Sequence, residues 1–402
     1  MLIGIVGKPS VGKSTFFRAC TLADVAIASH PFTTIKPNRG VGYVKVECIE
    51  KEFNTKCQPS HGFCINNKRF VPVELMDVAG LVPGASEGKG LGNQFLDDLR
   101  QADAFIHILD ISGTTNAEGK PLEEGENYNP AKDVRFLEEE LNKWYYNILA
   151  KVWKSFARKA EIEANNEKDF SDAVEKQFSG LKIKGEQVKT VMRRINFNGK
   201  ASTWDNEKIM SFASELRKES KPMIIAVNKI DKKNSFENYK NLKKEFSEIG
   251  IIPCSAEAEL FLRDLGKNKL ISYIPGEKEF KILKEDKITN SQKEILEKIK
   301  KEILEKYPFG TGVQEVLNKV VFDLLEYIAI FPASPGKLKD SKGRTLPDCF
   351  FLPLGSTALD FAYFLHTDFG ENFIKAIDAR TKKALSKNYK LKNRDALEII
   401  SR

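Results

Sequence analysis

No stretch of the 402 residues approaches the roughly 18 consecutive apolar side chains that a membrane-spanning helix needs, so neither a helical span nor a membrane partner is expected. The apolar run Leu2–Val6 leads directly into a glycine-containing loop rather than a cleavage site, and a cytoplasmic, uncleaved chain is the expectation. Cysteine is scarce: six residues in this length do not make a disulfide framework, and Cys20 and Cys254 read as small buried hydrophobes. Internal repeats and low-complexity tracts are missing too, which excludes a solenoid. Charge of one sign is also lacking. Sixty-four basic against 56 acidic residues leave a net +8, a mild excess compatible with an RNA partner without demonstrating one.

What is present suits a globular chain of two or three domains, 41% apolar and 30% charged. Short β-rich runs at Leu2–Val6, 71–76, Ala104–Asp110, 223–227 and 251–254 alternate with helix-like stretches, the pattern of an α/β fold whose parallel sheet is covered by helices. Between the third and fourth runs, Leu137, Leu141, Trp144, Ile148, Val152 and Phe156 recur every three or four residues. Val188, Val191, Met192 and Ile195, then Ile209, Phe212 and Leu216, repeat that spacing. This predicts a helical insertion whose later helices return against the first, joined through a polar loop at 165–168. A charged helical stretch at 291–306 ends at the Pro308-Phe309-Gly310 break. From about residue 326, strands at 327–331 and 348–352 and a helix at 358–366, entered from Ser356-Thr357, predict a small α+β module. The division is therefore 1–112 and 221–325 for the two parts of the α/β domain, the second with a helical extension, 113–220 for the insertion and 326–402 for the module.

Gly7-x-x-x-x-Gly12-Lys13-Ser14 lies between a predicted strand and a predicted helix, the context in which this motif becomes evidence for phosphate binding. Its glycines let backbone N–H groups wrap phosphates, Lys13 supplies a point charge, and the Ser14 hydroxyl completes a Mg²⁺ shell. Gly7, Ser10, Val11, Gly12, Lys13, Ser14 and Thr15 form this side of the site. Asp77-Val78-Ala79-Gly80 follows the second strand, where the carboxylate reaches Mg²⁺ through water and the Gly80 N–H meets a γ-phosphate. Asn228-Lys229-Ile230-Asp231 ends the fourth strand and selects the base. A carboxylate at Asp231 accepts the N1–H and 2-amino hydrogens of guanine, whereas adenine presents it with a ring lone pair. Asn228 ties the base to the phosphate loop and the Lys229 stem lies along the base plane. Ser255-Ala256 adds a backbone N–H for the 6-oxo group and a hydroxyl to steady Asp231. GTP and GDP with Mg²⁺ are the expected ligands.

His30-Pro31-Phe32-Thr33-Thr34-Ile35-Lys36-Pro37, the run from Asp77 through Gly92 to Phe95, and Phe351-Leu352-Pro353-Leu354-Gly355-Ser356-Thr357 through His366-Thr367-Asp368 together resemble the two switch segments and the TGS domain of Obg-like and YchF GTPases. The resemblance implies a P-loop NTPase (Ras-like) G domain with an inserted coiled-coil-like helical arm, and a small α+β TGS domain of β-grasp-like type. It also implies Mg²⁺-dependent nucleotide hydrolysis and association with ribosomes, through rRNA or tRNA contacts of the TGS domain and arm. Thr34, with Thr33 second, matches the switch ligand to Mg²⁺ over the γ-phosphate. Lys13, Thr34, Gly80 and His107 are the catalytic candidates. Relatives carry a histidine matching His107 to which a catalytic role is attached; the competing reading is a strand histidine tethered to a backbone group. Three departures stand out. Relatives of YchF type typically end the base motif in glutamate and accept ATP, whereas Asp231 points to GTP, as in an archaeal branch of the family. Leu81 stands where Ras-like enzymes place a water-orienting glutamine, so slow intrinsic hydrolysis is expected. Ser10 replaces an asparagine linked to monovalent-cation activation, which argues against potassium dependence.

Two weaker groupings complete the reading. Cys48, Cys57, His61 and Cys64 are soft ligands at spacings open to Zn²⁺, or thiols of a plain reduced loop. Basic residues cluster at 182–194 and 382–394, the second with Tyr389, as for a surface meeting rRNA phosphates or a merely solvated face. The functional expectation is a GTP-hydrolysing switch on ribosomes; the alternatives are an ATP or dual-specificity hydrolase and an RNA-binding scaffold that holds nucleotide without turnover.

Overall fold

The computed structural model describes residues 1–21, 38–78, 80, 99–123, 126–163, 167–196, 200–336, 338–340 and 342–402, with backbone only at 163 and 167–169. Five strands form a parallel core: β1 (Leu2–Val6), β4 (Lys68–Asp77), β5 (Ala104–Asp110), β6 (Met223–Asn228) and β7 (Ile251–Pro253). Two more, β2 (Arg39–Glu47) and β3 (Phe63–Ile65), pair antiparallel with β4. The sheet runs β2-β4-β1-β5-β6-β7, with β3 attached to β4. Every residue of β1, β5 and β6 is buried. Helices cover both faces, which is why these strands read as unbroken apolar runs rather than alternating ones.

On one face, Ile3, Ile5, Ile106 and Ile108 pack against Phe16, Ala19 and Cys20 of α1 (Lys13–Thr21). On the other, Leu2, Val6, Met76 and Phe105 meet the helical arm. The arm consists of α2 (Ala131–Ala150), α3 (Trp153–Glu163), α4 (Glu167–Gln177), α5 (Gly185–Ile195) and α6 (Asn206–Ser220). As the spacing predicts, Leu137, Leu141 and Trp144 share one core with Val188, Val191, Ile209, Phe212 and Leu216. The stripe from Leu137 to Phe156 is not one helix, however. The chain turns at Lys151–Val152 and restarts at Trp153, whose ring stacks on Trp204 at 5.4 Å while its Nε1 donates to the Ala201 carbonyl at 3.0 Å. Residues 113–123 and 126–130, grouped by sequence with the helical insertion, contain no helix among the described residues, and Thr115 and Asn116 lie beside the phosphate loop.

After β6 come α7 (Ser235–Glu245), α8 (Ala256–Lys267), a hairpin of β8 (Ile271–Tyr273) with β9 (Phe280–Ile282), α9 (Asn290–Ile299) and α10 (Val313–Lys319). The C-terminal module is a second mixed sheet, ordered β11-β10-β14-β12-β13, of β10 (Tyr327–Pro332), β11 (Phe350–Pro353), β12 (Phe373–Asp378), β13 (Ala384–Leu385) and β14 (Ala396–Ser401). Its helix α11 (Ala358–Leu365) starts from a Thr357–Asp360 capping box and packs Phe361 into the module's own core.

Candidate nucleotide-binding site

The phosphate loop spans the gap between the end of β1 and the start of α1, at the C-terminal edge of the parallel sheet. Its path depends on two glycines. Gly7 has φ +148° and a Cβ there would lie 2.4 Å from the Ile108 carbonyl oxygen; Gly12 has φ +95° and its Cβ would lie 2.4 Å from Asn228 Nδ2. Only a residue without a side chain fits either position. Ser10, at φ +64°, holds a left-handed conformation that non-glycine residues adopt rarely.

Lys13 is 8% exposed and its ammonium donates to the Lys8 carbonyl at 2.7 Å. Burial pushes its pKa down to about 8, against the pull of the Asp77 carboxylate. The Ser14 hydroxyl donates to Asp77 Oδ2 at 2.9 Å, and Asp77 Oδ1 is buried with no hydrogen-bond partner among the described residues. A hydroxyl beside a carboxylate with a free acceptor oxygen is the hard-oxygen donor set that suits Mg²⁺. Gly80 rests against Pro9 of the loop. Thr33, Thr34, Leu81 and the remainder of both switch segments lie outside the described residues.

At the other end, Asn228 bridges two loops: its Nδ2 donates to the Val11 carbonyl at 2.9 Å and its Oδ1 accepts the Ala256 N–H at 3.0 Å. Lys229 reaches back to the Ser10 carbonyl at 3.0 Å and to Asp110 Oδ2 at 2.7 Å. Asp231 Oδ1 accepts the Ser255 hydroxyl at 3.2 Å, and Lys232 stands 3.5 Å from Oδ2. The steadying role expected of Ser255 is therefore in place. The backbone donor expected for a 6-oxo group is not: the Ala256 N–H is engaged by Asn228 and the Ser255 N–H by the Thr311 carbonyl at 2.9 Å.

Gly12, Thr15, Asn228, Lys229, Asp231 and Ser255 line a single cavity of about 960 Å³. Its opposite wall comprises Thr114, Leu122, Glu123, Glu126 and Asn127, a surface that helical spacing does not reveal. The turn signals Gly119 and Pro121 mark that segment as a loop and were the available clue.

Lys8 is the main functional neighbour that the motif hides, since it occupies one of the unspecified positions. It is 4% exposed, pairs with Asp133 Oδ2 at 2.9 Å, donates to the carbonyls of Thr115 (3.1 Å) and Asn116 (2.8 Å), and lies 4.2 Å from the Tyr128 ring centre. The Tyr128 hydroxyl donates to Asp133 Oδ1 at 2.8 Å. The phosphate loop is thereby wired to the first turn of α2.

His107, a catalytic candidate from the sequence, is buried in the parallel sheet. It sits on β5 between Val6 and Ile225, 1% exposed, and burial, followed by the charges of Lys13 and Lys8, lowers its pKa to about 3. The imidazole is therefore neutral, and Nδ1 has no hydrogen-bond partner among the described residues. Among the other candidates, Cys48, Cys57 and Cys64 converge, but with Glu50. His61 stands apart, in the wall of a cavity of about 350 Å³ shared with Cys349. The basic groupings are partly neutralised: Lys182 pairs with Asp103, Lys189 with Glu186, Arg194 with Glu215 and Glu219, and Arg394 with Glu52.

Comparison with known proteins agrees with this arrangement. Residues 2–147 match the model described as "50S ribosome-binding GTPase", 226–334 that of "Obg-like GTPase YGR210-like, G4 motif-containing domain", and 330–401 the TGS domain. The chain is 46% identical to an uncharacterized GTP-binding protein of Methanocaldococcus jannaschii, over 100% of this chain and 99% of that one. It is 28% identical to the ribosome-binding ATPase YchF of Bacillus subtilis, covering 93% and 87%. A crystal structure of a GTP binding protein from Pyrococcus horikoshii superposes with TM-score 0.78 at 35% identity, covering 100% of both chains.

Proposed function

The chain belongs to the Obg-like/YchF family of GTP-binding proteins, and from that premise we propose that it hydrolyses GTP as a molecular switch acting on ribosomes. The observation that carries the base preference is Asp231, set in the cavity wall with its carboxylate steadied by Ser255 while Asn228 locks the neighbouring loop to the phosphate loop. That carboxylate pairs with the two donor edges of guanine and would face a lone pair of adenine. Bound Mg²⁺ would be held by Ser14 and Asp77 and would neutralise charge developing on the phosphate oxygens. Lys13 faces the same phosphates; its ammonium has three donors, so it can keep the Lys8 carbonyl and also bond a phosphate oxygen. Leu81, at the position where Ras-like enzymes place a water-orienting glutamine, supports a slow intrinsic rate and a need for completion by another group or a partner. Ribosomal action rests on the names of the relatives and on the C-terminal TGS module.

Calorimetry with GTP and ATP is the direct test. GTP should bind about a hundredfold more tightly, the scale set by an unpaired buried polar group, and Asp231→Ala should erase the difference by weakening GTP alone. Equal affinities in the wild-type chain would favour the ATP or dual-specificity reading, to which the ATPase names of some relatives point.

A further inference from the structure

We propose that Cys48, Cys57, Cys64 and Glu50 form a structural site for one zinc ion at the junction between the seven-stranded sheet and the C-terminal module. One ligand atom from each, three sulfurs and a carboxylate oxygen, lies within 4.8 Å of all the others. Zinc–sulfur bonds of about 2.3 Å and zinc–oxygen bonds of about 2.1 Å at tetrahedral angles place sulfurs about 3.8 Å apart and sulfur and oxygen about 3.6 Å apart. The Cys48 and Cys57 sulfurs are 3.7 Å apart, and the Cys64 sulfur is 3.5 Å from Glu50 Oε1. Reduced thiols of an ordinary apolar core have no reason to gather around a carboxylate that is itself 8% exposed. Soft thiolates select zinc over the hard cations suited to the nucleotide site.

The surroundings supply a second, independent argument. Arg69 lies opposite Cys64 in the β3–β4 pairing and is 1% exposed. Its Nη2 donates to the Leu346 and Pro347 carbonyls, but Nε and Nη1 have no hydrogen-bond partner, and no carboxylate pairs with it among the described residues. Three thiolates and one carboxylate around Zn²⁺ carry a net charge of −2, the anionic neighbour that a buried guanidinium lacks here.

The site also explains the loop's job. From Cys48 to Ser60 the chain has only one short 3-10 turn, yet it is the face on which the module sits. Gln58 N–H donates to the Thr345 carbonyl at 2.8 Å and Ser60 N–H to the Pro347 carbonyl at 2.9 Å, while Cys48 and Cys57 share an apolar cluster with Ala329, Phe331 and Cys349. Zinc binding would displace the thiol protons to solvent and fix this irregular segment to β3.

The test uses the full-length chain purified without chelator or metal-affinity resin. Elemental analysis should find one zinc per chain; Cys48→Ser and Cys64→Ser should lose it, and Cys349→Ser, a buried thiol of the same cluster outside the quartet, should keep it. Should a serine variant fail to fold, the wild-type chain carries the test. After chelation, cobalt(II) should saturate at one per chain with thiolate-to-metal charge transfer and the intense visible bands of a tetrahedral centre, and zinc should shield three thiols from a thiol reagent. Absence of zinc together with absence of thiolate–cobalt absorption would overturn the proposal. So would a Cys48–Cys57 disulfide in protein prepared under reducing conditions, or zinc that Cys48→Ser retains.

Discussion

Lys8 and Arg69 are both buried cations at the root of a module, yet they are satisfied in different ways. Lys8 has a true counter-ion in Asp133 and belongs to a chain of polar contacts that starts in the phosphate loop and ends in α2. Further along the same junction, Lys221 donates to the Arg100 and Ala102 carbonyls, and Arg217 to Asn142 and Glu138. The C-terminal module is attached by main-chain hydrogen bonds, an apolar cluster, the two carbonyls that Arg69 reaches and the more exposed pairs of Glu52 with Arg380 and Arg394. Buried charge is all-or-none, because losing one partner strands the other; apolar contact weakens by degrees. The arm is thus joined to the part of the site that feels phosphate, and the module to the edge farthest along β2 and β4 from it.

The comparison is most exposed to failure at Lys8. Lys8→Ala leaves the Asp133 carboxylate, 4% exposed, with only the Tyr128 hydroxyl for company, and breaking such a pair costs about 3–5 kcal/mol. Urea denaturation should register that loss, and GTP affinity should fall with it. The double change Lys8→Met with Asp133→Leu should recover stability but not affinity. Unchanged affinity in either variant would show that the arm and the phosphate loop are not coupled through this pair.

Lys221 tests the arm junction by pH. It is fully buried, and burial lowers its pKa to about 8, against Asp103 and with Lys182. Between pH 8 and the ordinary lysine value the unfolded chain binds more protons than the folded one, so stability should rise with pH across that window. Below it the full penalty for a buried ammonium is present; above it the gain levels off, at no more than about 3 kcal/mol. The neutral amine keeps donors for both carbonyls. Unfolding free energies measured from pH 7.5 to pH 10 should rise less in Lys221→Met than in the wild type, the variant keeping the parallel contribution of Lys13, whose pKa is also lowered to about 8. A smaller effect belongs to the other junction: Arg69→Met removes hydrogen bonds to two buried carbonyls, worth about 1–3 kcal/mol, and should leave GTP affinity untouched.

How much of this could be read in advance follows from the range of each interaction. The parallel strands, the phosphate loop, Asp77, the Asn228–Asp231 element and the α11 cap are local patterns in sequence, and the structure forms each of them. β2 escaped because its alternation, Arg39-Gly40-Val41-Gly42-Tyr43-Val44-Lys45-Val46, is interrupted by two glycines. Strands β12 (Phe373–Asp378) and β14 (Ala396–Ser401) are short, mainly apolar runs between charged residues, and their pairing is decided by the module's own core. Lys8 and Glu50 could not be found at all: the first is a free position of its motif, the second a lone acid, and each acquires meaning only when residues far along the chain or across a loop are brought to it. His61 shows the converse, a ligand type at a plausible spacing that the fold turns toward a different cavity.

The smallest expected effect isolates the C-terminal module. Thr357 closes the N-terminus of α11: its hydroxyl accepts the Asp360 N–H at 3.2 Å, and its own N–H donates to Asp360 Oδ2 at 2.7 Å. Thr357→Ala leaves an orphan donor in the first helical turn and should cost about 1 kcal/mol. The residue is half-buried and distant in sequence from every contact between the arm and the phosphate loop, so nucleotide affinity should not respond. Hydrogen exchange should show faster opening confined to α11 and the strands it covers. If protection in α2 or the phosphate loop fell as well, the module would be a coupled part of the switch rather than a platform carried beside it.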